Sequence, residues 1–116
     1  MAVKVVDASA IAALLFGEPE GEAVAGRLRD SRLASPALLG FELANVCLIK
    51  TRRHPMQATA LAAALNLRDR LGVEAMATDF DAVLALATST GLTAYDASYL
   101  WLARHLSAEL VTLDRQ

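Results

Sequence analysis

The stretch "VKVVD", residues 3–7, decides the fold of this 116-residue chain. It is short and rich in valine, a β-branched residue that favours strands, and it predicts a buried strand from Val3 to Val6. Asp7 follows the strand, and the next residues predict a helix from about Ser9 to Phe16. A buried strand that leads directly into a helix is typical of the start of a parallel α/β sheet.

The rest of the chain continues the alternation of strands and helices. Strands are predicted at "RLAS" (32–35), "VEAMA" (73–77) and "ELVTLD" (109–114). Helices are predicted at 22–30, from Pro36 in a first turn to about "RRHP" (52–55), at 57–72, at 78–91 behind a Thr78 or Asp79 cap, and from Asp96 to about His105. Gly72 and Gly91 are the expected helix stops. This order predicts a Rossmann-like parallel sheet with helices on both faces.

Composition limits the class of protein. The length allows one domain, expected to cover residues 1–116, and a hydrophobic content of 55% allows a true core and argues against disorder. Cys47 has no second cysteine to pair with, and it lies in an apolar run where a buried thiol is expected. No signal peptide or membrane span is predicted, which with the unpaired cysteine favours the cytoplasm. A formal net charge of −2 excludes a protein that coats nucleic acid through charge alone.

Two acidic residues end apolar strands. Asp7 ends "VKVVD" and Asp114 ends "LVTLD". Ligands of open parallel sheets bind at the carboxyl ends of the strands, so these two carboxylates are candidates for one crevice. A turn or N-cap role for each is the simpler alternative.

Glu42 lies on a helix face that is otherwise apolar. Its neighbours three and four residues away are Leu38, Leu39, Asn45 and Val46, and no Lys or Arg lies between Arg32 and Lys50. An unpaired buried carboxylate costs several kcal/mol or becomes protonated, so Glu42 needs a partner. A cation from outside the chain is one candidate, and a partly wet edge or a distant arginine is the other explanation.

Asp96 begins an apolar helical run and is first of all a candidate N-cap. At the carboxyl edge of the sheet it would also join Asp7, Glu42 and Asp114, and four such carboxylates repel one another unless a divalent cation lies among them. Mg²⁺ or Mn²⁺ suits oxygen-only ligands, whereas zinc is not favoured without paired Cys and His. Ser9 and Asn45 are candidates for holding waters of the cation or a phosphate oxygen.

Four motifs, "VVDASA", "FELANV", "TAYDASYLWLA" and "LVTLD", resemble in order and spacing the PIN-domain signature of the VapC-type toxin ribonucleases. The resemblance covers nearly the whole chain. It implies a Mg²⁺- or Mn²⁺-dependent endoribonuclease in which Asp7, Glu42, Asp96 and Asp114 match the acidic metal-binding positions. Ser9 matches the small hydroxyl beside the first aspartate. The family also implies an RNA substrate, a homodimer and a cognate antitoxin that holds the toxin inactive.

One departure from the family and two other functions stay open. Such toxins generally continue beyond the last aspartate, whereas this chain stops at Gln116, so a shortened C-terminal end is expected. An aspartate-based phosphatase or phosphotransfer domain would use Asp7 as a covalent nucleophile, although Ser9 stands where such an enzyme has a second aspartate. A non-catalytic module with an acidic cleft is the third class. Tyr99 and Trp101 are expected in the core or in a dimer interface.

Overall fold

A computed structural model describes residues 1–114 and has a four-stranded, wholly parallel sheet. The expected shortened C-terminal end at Gln116 lies outside the described residues. The strands are β1 (Val3–Val6), β2 (Arg32–Pro36), β3 (Glu74–Met76) and β4 (Glu109–Val111). The helices are α1 (Ala8–Leu15), α2 (Gly21–Leu28), α3 (Leu39–Arg53), α4 (Ala58–Asn66), α5 (Phe80–Thr90) and α6 (Ala94–His105). The predicted Rossmann-like α/β fold is confirmed.

The strand order β3-β2-β1-β4 creates a switch point beside the first strand. From β1 the chain adds β2 and then β3 on one side, and it later returns to place β4 on the other side of β1. Val6 pairs with Val111, so the chain leaves β1 and β4 at the same level of the sheet. Ligands of open α/β sheets bind where the order reverses, which here is the carboxyl edge between β1 and β4.

Successive residues of β1 point to opposite faces of the sheet and supply two cores. Val6 packs with Ile11, Val24 and Leu43 in a cluster that α1, α2 and α3 form on one face. Val5 packs with Leu102 and other residues of α6 on the other face. Valine suits both positions because strands covered on both faces are continuously apolar. The first strand therefore fixes α3 and α6 on opposite sides of the same carboxyl edge.

Two predicted helix boundaries were wrong. Pro36 is the last residue of β2, in register with Met76, and α3 begins only at Leu39. A proline has a fixed φ and no N–H, so it suits the end of a strand as well as the first turn of a helix. The predicted helix over 57–72 is continuous only to Asn66, after which the chain tightens into a 3₁₀ turn. Gly72, at φ +68°, ends that turn as expected.

Asp96 is not the N-cap of the last helix. The side chain of Thr93 takes that position and accepts a hydrogen bond of 3.1 Å from the backbone N–H of Asp96. Asp96 is the third residue of α6, because Thr93, which is also a favoured N-cap residue, lies three residues earlier and takes that position. Its carboxylate is therefore not needed to accept the first free N–H groups of the helix.

Within residues 1–114, no helix combines the length and the apolar character that a membrane crossing requires.

Candidate functional site

Asp7 is the aspartate that caps a helix in this structure. Its Oδ1 accepts a hydrogen bond of 3.1 Å from the N–H of Ala10, the third residue of α1, and one of 2.7 Å from the hydroxyl of Ser9. Only 8% of the residue is exposed, so the carboxylate lies almost buried at the end of β1. The cap uses Oδ1, and Oδ2 accepts no hydrogen bond from residues 1–114. Asp7 thus has the expected N-cap role and an oxygen left for a ligand.

Ser9 joins the end of the first strand to the segment that follows the last one. Its oxygen accepts a hydrogen bond of 2.9 Å from the N–H of Leu113, and its hydroxyl donates to Asp7. Thr112 Oγ1 lies 3.4 Å from the same oxygen and accepts a 3.0 Å bond from the N–H of Asp114. A hydroxyl has one proton to donate, so the bond to Asp7 occupies the donor of Ser9. Ser9 therefore holds Asp114 close to Asp7.

Glu42 has a partner that the sequence did not reveal. It lies half-buried in the first turn of α3, and its Oε1 accepts a hydrogen bond of 2.5 Å from the hydroxyl of Tyr99 on α6. The two residues are 57 positions apart, so no local pattern connects them. Tyr99 is in the core, as expected, and only 3% of it is exposed. Its spacing of three residues from Asp96 was the one available signal, since that places both on one face of α6.

Negative charge accumulates at this edge of the sheet. Burial raises the pKa of Glu42, the hydrogen bond from Tyr99 opposes that rise, and the charges of Asp7, Asp96 and Asp114 add to it. Asp114 is exposed, yet its partial desolvation at the cleft, followed by the charges of Asp7 and Asp96, raises its pKa. Burial, followed by the hydrogen bond to Glu42, also raises the pKa of Tyr99, so its hydroxyl stays protonated. The neighbouring carboxylates therefore disfavour the ionised forms of Glu42 and Asp114.

The carboxylates line two adjoining cavities. One cavity of about 460 Å³ is lined by Asp7, Asp96, Tyr99 and Asp114 together with apolar residues. The other, of about 450 Å³, is lined by Ser9, Glu42, Asn45 and Asp114, with Asn45 exposed on α3. Asp114 lines both cavities, and the hydrogen bond from Tyr99 to Glu42 connects them. The structure thus brings all the predicted site residues to one edge, in two compartments.

The donors at this edge suit a hard divalent cation. All are oxygens, and every ion pair found among residues 1–114 involves Glu18, Glu74 or Glu109 instead of these four carboxylates. In the described part of the chain no group of three His, Cys, Asp or Glu side chains is arranged so that it could hold a metal ion. Mg²⁺ does not need three such side chains, because it keeps several waters and binds one or two carboxylates directly.

An open parallel sheet with aspartates at its switch point and further carboxylates on the flanking helices defines an acidic-cleft α/β domain. Residues 4–116 match the family model of the PIN domain, and the chain belongs to the PIN-domain family. It is 34% identical to ribonuclease VapC3 from Pyrobaculum aerophilum, over 97% of this chain and 89% of that protein. The crystal structure of PAE2754, also from Pyrobaculum aerophilum, superposes with a TM-score of 0.78. The two sequences are 29% identical, and the superposition covers 98% of this chain and 81% of the PAE2754 chain. The resemblance to VapC-type PIN domains is confirmed.

Proposed function

We propose that this protein is a Mg²⁺- or Mn²⁺-dependent endoribonuclease and the toxin of a toxin–antitoxin pair. Membership of the PIN-domain family and the similarity to a protein named ribonuclease VapC3 support a nuclease. The observation that carries the proposal is the group formed by Asp7, Glu42, Asp96 and Asp114. The charges of neighbouring carboxylates raise the pKa of Glu42 and of Asp114 at the switch point of the sheet. No Lys or Arg within residues 1–114 forms an ion pair with any of the four.

Each carboxylate has a distinct place in the proposed site. Asp7 and Asp96 line one cavity and are the proposed main ligands, since Asp7 is fixed by its own helix cap and Asp96 by the first turn of α6. Glu42 approaches from α3 on the other side, and Asp114 lies between the two cavities. A bound divalent cation stabilises negative charge on a phosphate and lowers the pKa of water.

The residues of this chain then determine where an RNA phosphodiester can lie. The cleft is acidic and the net charge is −2, so a phosphate approaches the carboxylates only where their charge is compensated. Asp114 is exposed and lines both cavities, which makes it the residue best placed to orient a water or a second ion. Asn45, exposed on α3 beside Glu42, is proposed to hold a water or a phosphate oxygen.

RNA cleavage by the purified protein tests the proposal. A panel of structured RNAs is incubated with Mg²⁺, with Mn²⁺ or with EDTA, and the products are resolved on a gel. Cleavage is expected with either ion, and EDTA, Asp7→Asn and Asp96→Asn are each expected to abolish it. Asp81→Asn is the matched control, because Asp81 is an exposed aspartate in the first turn of α5 and lines neither cavity. Cleavage that survives EDTA, or that persists in both site variants, contradicts the proposal.

The same samples separate the alternative functions. A phosphatase with a nucleophilic aspartate forms an acyl-phosphate at Asp7 that can be trapped from a phosphorylated substrate. A non-catalytic module cleaves nothing although its carboxylates are intact. For the toxin role, expression of the wild-type protein without an antitoxin is expected to arrest growth, whereas Asp96→Asn at equal abundance is expected to be tolerated. A homodimer and a cognate antitoxin are part of this proposal. Growth arrest that is relieved by a co-expressed antitoxin tests the antitoxin part.

A further inference from the structure

We propose that Tyr99 is the positioning residue of the site: its hydroxyl holds the Glu42 carboxylate so that one oxygen, Oε2, is presented to a divalent cation. This inference rests on the proposed function and adds to it a residue that is neither acidic nor a ligand. The hydrogen bond of 2.5 Å from Tyr99 to Glu42 Oε1 carries it.

Tyr99 is itself held rigidly. Its ring belongs to the core cluster of Val5, Leu102 and Ala103 on the α6 face of the sheet, and only 3% of the residue is exposed. A buried aromatic ring has few alternative rotamers in a close-packed core. The position of its hydroxyl is thus set by β1 and α6, the elements that also position Asp7 and Asp96.

Glu42 depends on that hydroxyl for its orientation. It lies on α3, which packs on the opposite face of the sheet from α6, and its neighbours on the helix are mostly apolar. In residues 1–114 the bond from Tyr99 is the one hydrogen bond that its carboxylate accepts, and it uses Oε1. The bond therefore connects the helix that carries Glu42 with the helix that carries Asp96, and leaves Oε2 for a ligand.

The chemistry of the donor matters as much as its place. A lysine or arginine at this position would neutralise Glu42 and reduce its attraction for a cation. A phenol is an uncharged donor, so it directs the carboxylate and leaves the negative charge in the site. Hydrogen-bond partners of metal ligands act in this way elsewhere, and their loss typically weakens metal binding by roughly 10- to 100-fold.

Binding of Mn²⁺ alone tests the inference without a substrate. Free Mn²⁺ is counted by electron paramagnetic resonance during a titration of the purified protein at constant pH. Tyr99→Phe, which keeps the ring and removes the hydroxyl, is expected to weaken binding by roughly tenfold. Ser89→Ala, which also removes one hydroxyl, is the control and is expected to bind as wild type does, since Ser89 is exposed on α5 and lines neither cavity.

A double-mutant cycle separates positioning from a general structural effect. If Tyr99 acts through Glu42, Tyr99→Phe has no further effect on Mn²⁺ affinity once Glu42→Ala is present. Equal weakening in both backgrounds, or unchanged affinity in the single variant, overturns the inference. If Tyr99→Phe does not fold, Glu42→Asp tests the same bond, because it keeps the charge and withdraws the carboxylate by one methylene. Wild-type affinity in that variant also overturns the inference.

The titration of wild type distinguishes this inference from the proposed function. Wild-type protein that binds no Mn²⁺ contradicts the proposed function and the role of Tyr99 together. Wild-type protein that binds Mn²⁺ while Tyr99→Phe binds equally well contradicts only the role of Tyr99.

Discussion

Replacing Ser9 by alanine is expected to destabilise the protein more than the same replacement at an ordinary half-buried serine in a helix. The hydroxyl makes two short hydrogen bonds that the methyl group of alanine cannot replace, one to Asp7 at 2.7 Å and one from the N–H of Leu113 at 2.9 Å. The first has a charged acceptor and the second ties the segment after β4 to α1. Their loss affects the segments that follow β1 and β4, which meet at the carboxyl edge.

The magnitude follows from those bonds. A neutral hydrogen bond contributes about 1 kcal/mol to stability, and one to a charged group contributes about 1.5–3 kcal/mol. Water reaches this half-buried site and compensates for part of the lost hydrogen-bond energy. Alanine is also the better helix former by a few tenths of a kcal/mol. We therefore expect a loss of about 2 kcal/mol, or roughly 8 °C in Tm at about 4 °C per kcal/mol.

Thermal and urea unfolding, followed by circular dichroism in EDTA, measures the loss. Ser89→Ala is the control, because Ser89 is exposed on α5 and bonds only the carbonyl of Leu86 on its own helix. That variant is expected to stay within about 0.5 kcal/mol of wild type. If Ser9→Ala and Ser89→Ala unfold at the same temperature and urea concentration, the hydroxyl of Ser9 does not join the segments after β1 and β4, and the reasoning fails.

Three further predictions concern the same edge and the core behind it. The folded-state pKa of Glu42 is raised, so its ionisation lowers stability fully above that pKa, and this cost shrinks as the pH falls from there towards the ordinary pKa of a glutamate. Glu42→Gln is therefore expected to raise Tm in EDTA near pH 7.5, with a smaller gain near pH 5 and a smaller Mg²⁺-induced rise than wild type shows; equal melts under all four conditions contradict this. Thr93→Ala is expected to lower the free energy of unfolding by about 1 kcal/mol in urea. Asp96→Asn keeps the Thr93 cap and is expected to show no such loss of stability. Leu102→Ala, at a fully buried position, is expected to cost about 2–5 kcal/mol, and a loss below 1 kcal/mol refutes the described packing.

The local elements could be predicted from the sequence because their signals are local. The valines of residues 3–6 predict a strand where β1 lies. The glycines at 72 and 91 predict the ends of two helical segments at the positions where those segments end. The predicted positions of Pro36 in a helix and of Asp96 at an N-cap were wrong, since a proline also suits the end of a strand and Thr93 takes the cap position. Local preference alone does not choose between them, and the packing of the neighbouring strand or helix does.

The candidate site could be predicted only in part for a different reason. The spacing of the acidic residues and the strand ends brought Asp7 and Asp114 to one edge, and the apolar face of Glu42 showed that it needs a partner. That the partner is Tyr99 follows from how α3 and α6 pack across the edge. Contacts between residues far apart in the chain depend on tertiary packing, which a single sequence does not state.

The pairing of β1 with β4 has a consequence for how the protein is made. β1 lies inside the sheet, between β2 and β4. One of its two partner strands, β4, is the last of the four strands to be synthesised, and Ser9 and Thr112, which lie just after β1 and β4, are 103 positions apart. At synthesis rates of about 5–20 residues per second, Asp7 leaves the ribosome roughly 5–20 seconds before the segment that carries Asp114. A nascent chain in that interval has an unpaired edge on β1 and an incomplete group of carboxylates. The acidic cleft therefore forms only after the segment that carries Asp114 has left the ribosome, and shorter nascent chains lack it.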